Sequence, residues 1–67
     1  MTNNAERQWR IQEVLKDCPQ KEISKEKFMA QQIVKWGFAR RTIMEYVNAL
    51  ITADFIQTDG KDLIWRK

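Results

Sequence analysis

A single cysteine limits how this chain of 67 residues can be stabilised. A domain of this size buries only about 60% of the surface that its unfolded chain exposes, so its core is thin. Many small domains compensate with disulfides or metal sites. Cys18 has no second cysteine to pair with, and no histidine is present to join it in a zinc site or to activate it as a nucleophile. The chain must therefore fold by packing alone, and we expect Cys18 to be a small buried hydrophobe.

The positive charge is concentrated in the middle of the chain. The formal net charge of +3 permits an acidic partner such as nucleic acid without requiring one. Residues 1–19 and 54–67 are each neutral, whereas residues 20–36 carry a surplus of two positive charges and residues 37–53 a surplus of one. No run of about 18 apolar residues predicts a membrane-spanning helix, and the opening MTNNAERQWR lacks the apolar core of a signal peptide. We therefore predict a cytoplasmic protein.

Two amphipathic segments on either side of Pro19 predict the first two helices. Asn3 or Asn4 can cap the first, which must end before Pro19 because the residue preceding a proline avoids the helical region. Ser24 is a good cap for the second helix, and Gly37 ends it by allowing a left-handed backbone. The buried stripe of the first helix is predicted to be Ile11, Val14, Leu15 and Cys18.

A third helix is predicted from about Ala39 or Arg40 to about Thr52. Arg40 and Arg41 fall in its first turn, where the helix dipole makes each cation unfavourable by about 0.3–1 kcal/mol. Ala39 has no side-chain acceptor with which to cap the exposed N–H groups. The sequence thus predicts a bare, doubly cationic helix end. The buried stripe of this helix is predicted to be Ile43, Tyr46, Val47 and Leu50.

The last segment, DFIQTDGKDLIWRK, predicts a β-hairpin, because Asp59-Gly60 is a strong signal for a tight turn between β-forming residues. A two-residue turn would place Ile56, Leu63 and Trp65 on one face. A looser turn, from Gln57 to Asp62, would change the register, and the sequence leaves both open.

This order of elements resembles the winged helix–turn–helix family of DNA-binding domains, over about Ile11 to Trp65. The residues that carry the resemblance are Ile23-Ser24 opening the second helix, Gly37 in the turn, Arg40-Arg41-Thr42-Ile43 opening the third helix, Tyr46 to Leu50 within it, and Phe55-Ile56 entering the hairpin. Where the family usually has a capping Ser or Thr, this chain has Ala39.

The length of the chain predicts one domain over residues 1–67, with residues 1–4 frayed. The resemblance implies that this domain is mostly α with a small β-hairpin (α+β). Its architecture would be a three-helix bundle with a helix–turn–helix and a C-terminal wing. In this family the third helix lies in the major groove of double-stranded DNA, and the wing reaches the backbone or the minor groove. The implied protein is a small transcriptional regulator or accessory DNA-binding factor, located in the cytoplasm with the nucleoid.

The candidate DNA-binding residues are Arg40, Arg41, Thr42, Glu45, Asn48 and Lys61. Arg40, on the flank of the helix, is the candidate for a phosphate, and Lys61 plays that part in the wing. Arg41, Glu45 and Asn48 lie on the outward face and have the chemistry to read base edges. Simpler alternatives stay open: Arg41 and Glu45 can form an exposed ion pair, and Asn48 can merely be solvated.

The main alternative function is a winged-helix module for protein–protein interaction, which would use Trp9, Met44 and the hairpin. Trp9 lies opposite the buried stripe of the first helix. It either covers the edge of the core near Trp65 or anchors a homodimer or a partner protein. Trp36 and Trp65 are expected in the core. Without histidine or a glycine-rich phosphate loop, the sequence predicts no enzyme, no cofactor and no metal site.

Overall fold

A computed structural model of the protein describes residues 4–67 and contains three helices and three short strands within that range. The elements are, in chain order, α1 (Asn4–Asp17), β1 (Ile23–Ser24), α2 (Lys25–Trp36), α3 (Arg40–Thr52), β2 (Ile56–Thr58) and β3 (Leu63–Arg66). The strands form one antiparallel sheet in the order β1-β3-β2. The predicted class, three helices with a small β element that follows a helix–turn–helix, is confirmed.

The predicted helix boundaries are confirmed where the sequence supplied a local signal. α1 ends at Asp17, shortly before Pro19. The Ser24 hydroxyl accepts a hydrogen bond from the Lys27 N–H (3.3 Å) and caps α2. Gly37 ends α2 in the left-handed region, with φ 71°. Of the two candidate caps for α1, Asn3 lies outside the described residues and Asn4 is already part of the helix.

The core lies between the helices and the inner face of the sheet, and both predicted helical stripes contribute to it. Burial raises the pKa of the Cys18 thiol to about 11, so this side chain is a neutral, buried group as predicted. The buried apolar residues are Val14, Cys18, Phe28, Met29, Ile43, Tyr46, Val47, Leu50, Ile56 and Ile64.

The strand β1 was not predicted. Ile23 pairs with Ile64 and Ser24 with Leu63, so β1 adds a third strand on the other side of β3. The sequence indicated only a helix cap at this position, because a two-residue strand is too short to show alternation. As a result β3, which looked like one arm of a hairpin, is the central strand of the sheet.

The hairpin has a loop of intermediate length, shorter than the predicted Gln57–Asp62 turn and longer than the two-residue turn. Thr58 pairs with Ile64, so residues 59–62 form the loop and a two-residue Asp59-Gly60 turn is excluded. This register places Ile56 and Ile64 together in the core. Trp65 lies on the other face, where it is half-buried and its indole N–H donates to Gln57 Oε1 (2.9 Å). The expectation that Trp65 belongs to the core is therefore wrong.

The Asp59 carboxylate organises this loop. Its Oδ1 accepts hydrogen bonds from the backbone N–H groups of Lys61 (2.8 Å) and Leu63 (3.0 Å). The Thr58 hydroxyl accepts from the Gly60 N–H (3.1 Å). Because the bonds from Lys61 and Leu63 favour the charged form, they lower the pKa of Asp59 below its usual value. Side-chain bonding thus replaces the tight turn that the sequence favoured.

Replacing Asp59 with alanine is expected to loosen the loop and to speed amide hydrogen exchange at Lys61 and Leu63. Lowering the pH should likewise reduce the protection of these amides, measured relative to their intrinsic exchange rates at each pH, since a carboxylate with a lowered folded-state pKa contributes its full stabilisation only above the unfolded value of about 3.9. That contribution is lost as the pH falls through the folded-state pKa. Asp62→Ala is the control in the same loop, and equal exchange rates in the two variants would contradict this account.

Candidate nucleic-acid interface

The amino end of α3 is uncapped, as the sequence predicted. Ala39 adopts an extended conformation (φ −64°, ψ 151°) and its methyl side chain offers no acceptor. The Ala39 carbonyl accepts from the N–H groups of Thr42 (3.0 Å) and Ile43 (3.3 Å). Arg40 and Arg41 come before Thr42 in the helix, and their N–H groups have no carbonyl partner within it, as at any helix start. The first turn therefore presents donors and positive charge with no carboxylate of its own.

Arg40 is paired within the chain. Its guanidinium donates two hydrogen bonds to the Glu26 carboxylate, from Nη1 to Oε2 (2.9 Å) and from Nη2 to Oε1 (2.5 Å). Glu26 lies in the first turn of α2, where a carboxylate is also favoured by the helix dipole. Hydrogen bonding to Arg40 lowers the pKa of Glu26, and the same bonds raise the pKa of Arg40. Arg40, which the sequence predicts to bind a phosphate, is thus already paired with a carboxylate.

Arg41 is the more available cation. Its side chain is 91% exposed, and its Nε lies 3.8 Å from Glu45 Oε1. This distance is beyond that of a good hydrogen bond, so the pair is a loose one between exposed groups. The guanidinium of Arg41 can therefore turn toward an arriving anion at little cost, because it loses only this loose ion pair.

The outward side of α3 has the predicted polar character. Arg41, Glu45 and Asn48 are exposed, and we call these three residues the α3 face. Thr42 is half-buried at the start of the helix. Met44 is half-buried and packs against the core, so it offers less surface to a partner than the sequence suggested.

The start of α2 joins the amino end of α3 to the wing. The Lys25 N–H donates to the Asp62 carbonyl of the wing loop (2.6 Å), and the next residue, Glu26, binds Arg40. The loop that carries the exposed Lys61 and the first turns of two helices therefore meet at one end of the molecule. The part played by the start of α2 was not predicted, although the charge surplus of residues 20–36 was a signal for it.

The charge at this end is only weakly positive. Its cations outnumber its carboxylates by one, counting Lys25, Lys27, Arg40, Arg41 and Lys61 against Glu26, Glu45, Asp59 and Asp62. Long-range attraction of a polyanion is consequently modest, and direct contacts must supply most of any affinity. The Asp59 carboxylate is further engaged by backbone N–H groups, which satisfies part of its hydrogen-bonding capacity.

A row of aromatic rings runs from the exposed Trp9 to the buried core residue Tyr46. Trp9 meets Trp36 edge-on (ring centroids 5.7 Å apart), Trp36 stacks on Phe38 (5.8 Å), and Phe38 meets Tyr46 (6.4 Å). Trp9 thus packs on Trp36 rather than on the predicted neighbour, Trp65, and it remains 56% exposed. Trp36 is half-buried against the core, in keeping with the sequence expectation.

Residues 4–67 contain no helix long and apolar enough to cross a membrane. Across the same range there is no group of three or more cysteine, aspartate or glutamate side chains that could hold a metal ion. No protein-family model matches the chain, and no curated protein or solved structure is significantly similar to it. The fold and one end of the molecule, formed by the first turns of α2 and α3 and by the loop 59–62, therefore carry the indications of function.

Proposed function

We propose that this protein binds double-stranded DNA through the amino end of α3 and the α3 face, as a small transcriptional regulator or accessory DNA-binding factor. The observation that carries the proposal is the exposed Arg41 side chain beside an uncapped helix start. A phosphate at this point would accept from the unpaired N–H groups and pair with the guanidinium at the same time. The negative charge of the bound phosphate would then offset the unfavourable interaction between the cation and this helix end.

The arrangement of elements supports a groove-binding mode. The layout is consistent with a helix–turn–helix followed by a wing, and in such domains the second helix of the motif enters the major groove. There the outward side of α3 would meet base edges: Asn48 suits adenine and Glu45 can accept from cytosine N4, while Arg41 holds the phosphate at the helix start. Lys61, on the wing loop beside α2, would contact a phosphate and help to orient the domain.

This proposal implies a location in the cytoplasm with the nucleoid. It also implies weak binding by a single copy. About four phosphate contacts per copy would give a log–log salt dependence with a slope of about −4. High affinity would then require more than one copy on the DNA.

An NMR titration with a mixed-sequence duplex tests the proposal. We expect the amide signals of residues 40–48 and of Lys61 to move, while those on the exposed side of α1 stay in place. The shifts should weaken as salt is added, because phosphate contacts release counterions. Signals that remain unchanged at every DNA concentration, or shifts confined to α1, would contradict the proposal.

The second candidate is a protein-interaction module, and the exposed Trp9 favours it. Trp9 is held edge-on by Trp36, so its ring is already ordered and could anchor a partner or a second copy at small entropic cost. Phe55, at the entry to the hairpin, is also half exposed. Sedimentation velocity tests the homodimer: a monomer at high protein concentration would exclude self-association through α1.

A further inference from the structure

The ion pair between Glu26 and Arg40 joins the first turns of two helices at the proposed DNA-binding end. The carboxylate faces the guanidinium with both oxygens, and each oxygen accepts one hydrogen bond. A phosphate group binds a guanidinium with the same two-pronged geometry. Glu26 therefore occupies the Nη1–Nη2 edge of Arg40, one of the two guanidinium edges that can bind a DNA phosphate with two hydrogen bonds.

An incoming anion can reach this ion pair and compete with Glu26 for Arg40. Half of the Arg40 side chain and 69% of the Glu26 side chain are exposed, so solvent and ions reach both groups. Exposed ion pairs are weak, because water already stabilises the separated charges. Exchange of one anion for another at Arg40 therefore requires no opening of the core.

We propose that Glu26 is a built-in competitor of DNA phosphate for Arg40 and so limits the affinity of this protein for DNA. This inference rests on the proposed function. A phosphate that binds the Nη1–Nη2 edge of Arg40 must displace the carboxylate, and one that binds through Nε lies beside the negative charge of Glu26. While the pair stays closed, the negative charge of Glu26 weakens any phosphate contact made by Arg40, and the α3 face and the wing must hold the DNA.

Glu26→Gln is the direct test, because it keeps the shape of the side chain and removes its charge. In fluorescence-anisotropy titrations with a mixed-sequence duplex, we expect about fivefold tighter binding by the variant at fixed salt. The log–log salt dependence should become steeper by about 0.9, the value for one additional phosphate contact. Arg40 would then be free to make that contact.

Glu22→Gln is the matched control. Glu22 is an exposed glutamate just before β1, and the control removes the same charge from the same region of the chain without touching Arg40. We expect it to change the affinity by less than about twofold, as for any exposed charge screened by salt. If Glu26→Gln and Glu22→Gln increase the affinity for DNA by the same factor, the effect is one of net charge and the inference is overturned.

The effect must also depend on Arg40. In an Arg40→Ala background, Glu26→Gln should give no more gain than Glu22→Gln does. Weaker binding by Glu26→Gln, with an unchanged thermal midpoint, would mean that the pair orients α3 for DNA, and this would also overturn the inference.

If wild type and Glu26→Gln both fail to bind at low salt, the proposed function fails and the inference falls with it. If wild type binds and Glu26→Gln matches it, the inference alone fails.

Discussion

Replacing Arg41 with glutamate is expected to lower the affinity for a mixed-sequence DNA duplex by about 100-fold at low salt. The change removes the cation that pairs with a phosphate at the helix start and places a negative charge near the phosphates. It also places a second carboxylate beside Glu45, so the α3 face as a whole becomes acidic. Anisotropy titrations at several salt concentrations measure both the affinity and the number of phosphate contacts, and the salt slope should fall in magnitude by about 0.9.

Lys16→Glu is the control for this charge reversal. Lys16 lies near the end of α1 and is largely exposed, so the variant has the same net charge as Arg41→Glu but leaves the α3 face intact. It should lose only a small part of the affinity, through the weaker overall field of the protein. Equal losses in the two variants would mean that DNA responds to net charge and has no defined site at α3.

Val47→Ala and Val34→Ala make the same chemical change at a buried and at an exposed helical position. Val47 is fully buried in the core, whereas Val34 is 84% exposed on α2. We expect Val47→Ala to lower the free energy of unfolding by about 2–3 kcal/mol, from lost burial and from the cavity left behind. Domains this small rarely exceed about 3–5 kcal/mol in stability, so much of the variant should be unfolded at room temperature.

Val34→Ala should leave the free energy of unfolding within about 0.5 kcal/mol of wild type, because alanine is the better helix former and little burial is lost. Urea denaturation followed by circular dichroism measures both variants. If Val34→Ala were as damaging as Val47→Ala, the exposed side of α2 would have to be covered by another chain in solution.

The helix boundaries could be read from the sequence because each depends on one local chemical fact. Pro19 restricts the residue before it, and the Ser24 hydroxyl reaches an N–H in the next turn. Gly37, being glycine, adopts a left-handed backbone without strain. The two buried stripes were likewise predictable, since the spacing of apolar residues along a helix fixes which face is buried.

Features that depend on two distant segments could not be predicted in this way. The pairing of Ile23 with Ile64 shows only when the helices have brought the strands together. The contact of Glu26 with Arg40 depends on the angle between α2 and α3, which no local pattern encodes. The loop at Asp59 is an intermediate case: the tight-turn signal was present, but the carboxylate bonded two later amides and fixed a wider loop.

The order of strands also affects how the folded protein behaves in a crowded solution. The edges of the sheet are β1 and β2, with two and three residues, and the longer β3 is enclosed between them. Short edges offer few unpaired backbone groups to a strand from another molecule. The native sheet is therefore a poor template for intermolecular β-pairing, which protects a small, marginally stable domain from aggregation while it is folded.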